Sequence, residues 1–221
     1  SAVQAEGAGR VARLAAEQGV ARMVHLSAIG ANADSASEYA RSKAEGEAKV
    51  LESFPNAVIL RPSVIFGQED AFFNRFGKMA EKNMILPLVG GDTKFQPVYV
   101  DDVARAAVAG VLGQAEAGVY ELGGPDVDTL KGLMGDMLEA IHRKRLIVNL
   151  PFWVGNLMAM GFSVLQFLTL GLFHNGVLTR DQVKNLKVDN VVSEGAKGFA
   201  DLGIKPTALQ AVLPDYMWIY R

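Results

Sequence analysis

Tyr39 and Lys43 lie four residues apart in the run Ser37-Glu-Tyr-Ala-Arg-Ser-Lys-Ala-Glu-Gly-Glu-Ala-Lys49. On a helix this spacing puts a phenol and an ammonium on one face. A free phenol ionises near pH 10 and is a poor acid or base at neutral pH. A fixed positive charge beside it favours the phenolate and draws that value toward the working range. Tyr39 can then pass a proton to or from a substrate oxygen while Lys43 holds a sugar hydroxyl. The spacing alone carries little, because a chain with 5 tyrosines meets it by chance often enough. An exposed tyrosine beside a solvated lysine is the plain alternative, so the neighbouring elements must decide.

Upstream, Arg22-Met-Val-His-Leu-Ser27-Ala-Ile-Gly-Ala31 is a short apolar run that closes in small residues, the pattern of a buried parallel strand ending at a loop. Downstream, Asn56 to Gly67 contains a second apolar run, stopped by Arg61-Pro62. Between them Ser35 or Ser37 caps a helix whose end is set by Pro55. The order is strand, serine, loop, Tyr-bearing helix, strand. In open α/β sheets ligands bind beyond the carboxyl ends of the strands, and the start of the Tyr39 helix lies there.

At these residues the chain resembles the short-chain dehydrogenase/reductase superfamily, in its extended or atypical branch of NAD-dependent epimerase/dehydratase-like proteins. Tyr39 to Glu47, Phe54 to Asp70 and Gln96 to Val103 carry that resemblance. Leu178-Thr-Arg-Asp-Gln-Val183 and Asp201-Leu-Gly-Ile204 are similar to the group formed by the respiratory complex I accessory subunit of this fold and its bacterial relatives. The resemblance implies NADP or NAD as cofactor, structural in the complex I group. In an enzyme of this type, an oxidoreductase or epimerase acting on a hydrophobic carbonyl or alcohol, Tyr39 is the acid/base. Lys43 binds the ribose and lowers the Tyr39 pKa, Ser27 orients the substrate oxygen, and Pro62 and Ser63 flank the nicotinamide. Aligning the strand end leaves open whether the catalytic hydroxyl slot falls on Ser27 or on Ile29. Nucleotide-sugar members usually carry an Arg where this chain reads Lys94-Phe-Gln-Pro97, so a nucleotide sugar is not the expected substrate.

Length and composition set bounds around that reading. The 221 residues suffice for one α/β domain with a smaller lobe, and a net charge of −2 gives no nucleic-acid footprint. With 0 cysteines there is no disulfide, thiolate chemistry or cysteine metal site. His25, His142 and His174 are too scattered for a metal motif, and His25, inside an apolar strand, reads as a satisfied core side chain.

A dinucleotide-binding fold normally opens with a strand and a glycine-rich turn whose amides cradle the pyrophosphate. Only an alanine-rich helix, Ala2 to Gln18 with Val11 and Leu14 inward, precedes the first strand here. The expectation is therefore a fragment. Its fold class is α/β, the C-terminal part of a Rossmann-like doubly wound parallel sheet, with the first strands and the glycine-rich turn missing. Residues 1–125 form the remaining half of the NAD(P)-binding domain, and residues 126–221 a smaller, mainly helical lobe facing substrate or partner.

Farther along, Phe72, Phe76 and Met79 form a helical stripe, read as core or as a cleft wall. Asp101-Asp102 at a helix start reads as capping and dipole complementation, with an acid/base pair as the alternative. Val119 to Gly124 is the last strand of the sheet, and the helix after Pro125 is capped near Thr129. No charged residue stands between Leu146 and Phe173, a stretch longer than the ~20 residues that span a bilayer. Pro151 divides it into a strand and a helix, and Asn156, Ser163 and Gln166 interrupt the helix. A buried or cleft-lining helix is the first reading of Phe152 to Phe173. A respiratory-complex or membrane-surface contact is the second, and a span the last. Thr179 and Thr207 read as caps of short helices. The resemblance implies a cytoplasmic location, peripheral on the inner face of a membrane.

Overall fold

The computed structural model describes residues 2–168 and 179–221. A π-helical turn, Ala2–Gly7, leads into α1, Ala8–Glu17, and then β1, Val24–Leu26. Helix α2, Glu38–Ser53, starts where the Ser37 side chain accepts from the Ala40 N–H, so Ser37 is the cap. The chain returns as β2, Val58–Pro62, followed by β3, Ile65–Phe66, and α3, Phe73–Lys82. Next come β4, Ile85–Val89, β5, Lys94–Phe95, β6, Val98–Tyr99, and α4, Val100–Leu112. Strand β7, Gly118–Leu122, precedes β8, Asp128–Thr129, α5, Leu130–Ala140, and β9, Leu146–Leu150. Three helices complete the order: α6, Phe152–Leu168, α7, Arg180–Asn185, and α8, Leu209–Met217.

The main sheet has the order β1-β2-β7, all parallel, with His25 opposite Ile59 and Leu60 opposite Tyr120. Parallel neighbours need crossover connections, which α2 and α4 supply. Alternate residues face opposite sides of the sheet. Ile59 packs toward α1 and α2 with Ala12, Val50 and Ala57, whereas Val58, Leu60 and Tyr120 pack with Val103 and Ala106 of α4. Phe199 and Ile204 from the tail close that second layer. Helix α4 approaches the sheet closely enough that a Cβ on Gly110 would stand 2.6 Å from Val24 Cγ2. A third core joins Phe66, Phe73, Leu86 and Leu88 to Met134, Met137, Leu213 and Met217, so segments far apart in the chain pack together in it. There β4 pairs with β9 in parallel and β5 with β8 antiparallel.

Four local expectations change. Val11 and Leu14 are 59% and 50% exposed, because α1 packs on α2 through small residues such as Ala8 and Ala12. Strand β1 lies at a sheet edge with Leu26 48% exposed, where the short apolar run predicted a buried strand. Asp101 and Asp102 occupy the first turn of α4 and give no side-chain cap, since Tyr99 takes the cap position. Asp102 is buried and instead accepts from the Thr207 N–H and from Arg105. Thr207 therefore spends its amide on Asp102, and Ala208 precedes α8. Thr129 and Thr179 do cap, the latter in a capping box with Gln182.

Among the described residues no helix is long and apolar enough to cross a membrane. Helix α6 buries the small residues Gly155 and Ala159, while Trp153, Leu157 and Met160 are 69%, 56% and 42% exposed. Small residues let the helix axis come close to Val89, so the large apolar side chains point away from it. The predicted contact segment beyond Leu168, as far as Phe173, lies outside the described residues.

Candidate functional site

A cleft of about 610 Å³ opens beyond the carboxyl ends of β1 and β2. Ile29, Gly30 and Ala31 from the loop after β1 form one wall, with Tyr39 at the start of α2. Arg61, Glu121 and Asn190 face them. This is where an open parallel sheet places a ligand.

Tyr39 is 42% exposed, and its ring carries the Lys43 ammonium 5.7 Å from the centroid. Lys43 Nζ also donates to the Leu26 carbonyl at 3.4 Å, a long bond that leaves donors to spare. Partial burial pushes the Tyr39 phenol above its ordinary value and holds the Lys43 ammonium below its own. The expected lowering of Tyr39 by Lys43 is not realised. The cation sits over the ring, and loss of water on burial is what raises the phenol. Tyr39 is therefore a protonated phenol at neutral pH, fit to donate a hydrogen bond or a proton to a ligand oxygen.

Ser27 and Ile29 part company. The Ser27 hydroxyl is 3% exposed and, among the described residues, is the buried side-chain polar atom without a hydrogen-bond partner. Ile29 is the strand-end residue on the cleft wall beside Tyr39. Pro62 and Ser63 are buried at the end of β2. The Ser63 hydroxyl is shared between the Asn190 carbonyl at 2.9 Å and Asn190 Oδ1 at 2.6 Å. Asn190 also accepts from the Val64 N–H, which fastens the tail across the strand end. Ser63 is thereby committed to the fold, a tie that local sequence does not reveal.

Two further groups escaped sequence reasoning. Asp181, from α7, caps the Tyr39 helix: Oδ2 accepts from the Ser37 hydroxyl at 2.8 Å and the Tyr39 N–H at 3.0 Å. Its Oδ1 accepts from the Glu38 N–H at 2.8 Å. Burial alone would raise this carboxyl, but those hydrogen bonds and nearby Lys184 hold it below its usual value. The helix dipole adds to that preference for an anion. Behind the cleft, Arg61 makes a bidentate pair with Glu47 at 2.6 and 2.8 Å and lies 3.7 Å from Glu121. Glu121 accepts from the Ser193 N–H at 2.8 Å. The charges flanking the motif in sequence, Glu47 and Arg61, were the available signal; their pairing across α2 and β2 was not.

A parallel sheet with a Tyr-x-x-x-Lys helix at its ligand-binding edge defines a short-chain dehydrogenase/reductase-type protein. The chain belongs to the extended branch of that superfamily, and residues 30–146 match the family described as the RmlD substrate binding domain. It is 36% identical over 219 residues to the mitochondrial NADH dehydrogenase (ubiquinone) 1 alpha subcomplex subunit 9 of Arabidopsis thaliana, covering 97% of this chain and 54% of that protein. It is 31% identical over 220 residues to the mitochondrial NADH-ubiquinone oxidoreductase 40 kDa subunit of Neurospora crassa, covering 99% and 56%. The chain thus spans about half the length of these curated relatives. Its fold matches MoeE5 in complex with UDP-glucose and NAD at a TM-score of 0.69 and 15% identity, over 98% of this chain and 70% of that one.

The cleft residues suit a dinucleotide's ribose. Lys43 has unspent donors, and the Tyr39 hydroxyl makes no hydrogen bond among the described residues.

Proposed function

We propose that this chain forms part of an NAD(P)-binding accessory subunit of a respiratory complex, in which the dinucleotide, NADP or NAD, is held as a structural cofactor. Lys43 and Tyr39 bind the ribose, and Pro62 packs near the nicotinamide, with Ser63 fixing the strand end beside it. A bound nicotinamide can supply hydride chemistry. The observation that carries the structural reading is the contrast between Ile29 and Ser27. Ile29 stands on the cleft wall at the strand end, while the Ser27 hydroxyl is buried and meets no hydrogen-bond partner among the described residues. The Ser37 hydroxyl, which also lines the cleft, donates to Asp181 and accepts from the Ala40 N–H, so it is committed to the start of α2. The similarity to complex I subunits supports the respiratory partner and a mitochondrial or bacterial inner-membrane location. The exposed Trp153, Leu157 and Met160 stripe supports a peripheral contact with that membrane or complex.

A second reading is an active oxidoreductase or epimerase on a hydrophobic carbonyl or alcohol. It is favoured by an apolar cavity that shares Phe95 and Leu186 with the cleft. There Tyr39 donates the proton, Lys43 holds the ribose and Ser27 orients the substrate oxygen once a rotamer change brings it forward.

Calorimetry of the full-length protein with NADPH and NADH, native and with Lys43→Ala or Tyr39→Phe, separates these readings. The structural reading expects micromolar binding, about tenfold weaker without the Lys43 donor and roughly two- to tenfold weaker in Tyr39→Phe, which loses one neutral hydrogen bond to the ribose. Absence of binding by either dinucleotide refutes it. Turnover of a carbonyl substrate that falls 10²–10⁴-fold in Tyr39→Phe would establish the enzyme instead.

A further inference from the structure

A second cavity, of about 300 Å³, adjoins the Tyr39 cleft. That is at the lower end of the ~300–1,000 Å³ typical of small-molecule sites. Its wall is nearly all hydrocarbon: Phe72, Phe76 and Met79 along α3, Leu88 from β4, Leu130 from α5 and Met158 from α6. Phe72 anchors this wall, with ring centroids 5.6 Å from Phe76 and 6.0 Å from Phe95.

One cation stands in it. Arg75 is half-buried on the cavity wall, and among the described residues it has neither a carboxylate partner nor a hydrogen-bond acceptor. The other half-buried arginines all have acceptors: Arg61 has Glu47, Arg143 the Tyr220 carbonyl, and Arg145 the Ala80 carbonyl. A charge withdrawn from water without a partner is costly, and burial holds the Arg75 guanidinium below its usual value. The stripe at Phe72, Phe76 and Met79, legible in the sequence as core or cleft wall, is thus paired with an unmet demand for an anion. The amides of Gln182 and Asn185 at the rim supply further polar groups.

We propose that this cavity binds a long-chain amphiphile, its alkyl chain against Phe72, Phe76, Met79 and Met158 and its anionic head group on Arg75. The ligand class follows from the wall and the lone cation together: an uncharged apolar ligand leaves Arg75 unpaired, and a small anion leaves the hydrocarbon wall unfilled. The inference needs neither a bound dinucleotide nor turnover, so it stands or falls apart from the function proposed above.

The test is calorimetry of the full-length protein without cofactor, using oleate, oleyl phosphate and oleyl alcohol below their aggregation concentrations. Either anion is expected to bind about tenfold or more tightly than the alcohol, the gain of one charge-assisted pair. The tighter of the two anions distinguishes a carboxylate from a phosphate head group. Arg75→Gln is expected to bring the anions to the affinity of the alcohol and leave the alcohol unchanged. Met79→Trp, which fills the cavity, is expected to weaken all three. Equal affinity for anion and alcohol on the native protein overturns the proposal even if Arg75→Gln does not fold. So does a folded Arg75→Gln variant that binds oleate as the native protein does, or failure of all three to bind.

Discussion

Replacing Asp181 by Ala tests whether the tail fixes the Tyr39 helix. The substitution removes acceptors of three hydrogen bonds, from the Ser37 hydroxyl and the Glu38 and Tyr39 amides, at 2.8, 2.8 and 3.0 Å. Loss of a cap costs about 0.5–2 kcal/mol, and loss of an anion at a helix start about 0.3–1 kcal/mol. Glu38 and Tyr39 are exposed, so water can replace part of what is lost. A net cost of about 1–2 kcal/mol is therefore expected. In a chain of this size that lowers the melting midpoint by about 2–8 °C, readable by circular dichroism at pH 7. The pH dependence is specific. The folded-state pKa of Asp181 is depressed, so its stabilisation is present above the unfolded carboxyl value, ~3.9, and is lost as pH falls through the lower folded value. The gap between native and Asp181→Ala is expected to be constant from about pH 5 to 8 and to close below about pH 4. Asp181→Asn, which keeps an acceptor but no charge, is expected to fall between them. An unchanged midpoint at pH 7, or a gap that persists undiminished at low pH, would refute the capping argument.

Arg61→Leu leaves Glu47 and Glu121 facing each other while buried, and is expected to cost about 3–5 kcal/mol in denaturant unfolding, whereas Glu47→Gln should cost less. Ser27→Ala removes an unpartnered buried hydroxyl and is expected to be neutral or to stabilise by up to about 1 kcal/mol in a thermal melt, with dinucleotide affinity unchanged. A loss of affinity in that variant would place Ser27 at the ligand after all. Gly124→Ala drives a Cβ into the Pro97 carbonyl and is expected to cost more than about 2 kcal/mol, measured by urea denaturation. Replacing Trp153 and Leu157 together by Ser is expected to leave stability within about 0.5 kcal/mol, since both are exposed, yet to reduce co-sedimentation of the full-length protein with anionic vesicles.

Sequence by itself determined the strand–helix–strand order around Tyr39 and Lys43, a serine cap at Ser35 or Ser37, and the strand that Arg61-Pro62 closes; the structure selected Ser37. It also placed a strand and then a helix on either side of Pro151. These features are local: apolar runs, proline and capping residues act within a few positions of themselves. The family was legible for the same reason, since the matching stretches are contiguous. Tertiary structure decided everything that depends on pairing across long separations. Asp181 reaches Tyr39 and Asn190 reaches Ser63 across more than 120 residues, and no local pattern encodes those distances. The choice between Ser27 and Ile29 could not be made from a strand end that aligns in two ways, because a strand turns successive side chains to opposite faces and the final turn re-aims them. The Tyr39 pKa likewise depended on burial, which a four-residue spacing does not contain. Val11 and Leu14 turned outward because a helix can pack on its alanine face as readily as on its largest side chains, and only the neighbouring α2 selects between them.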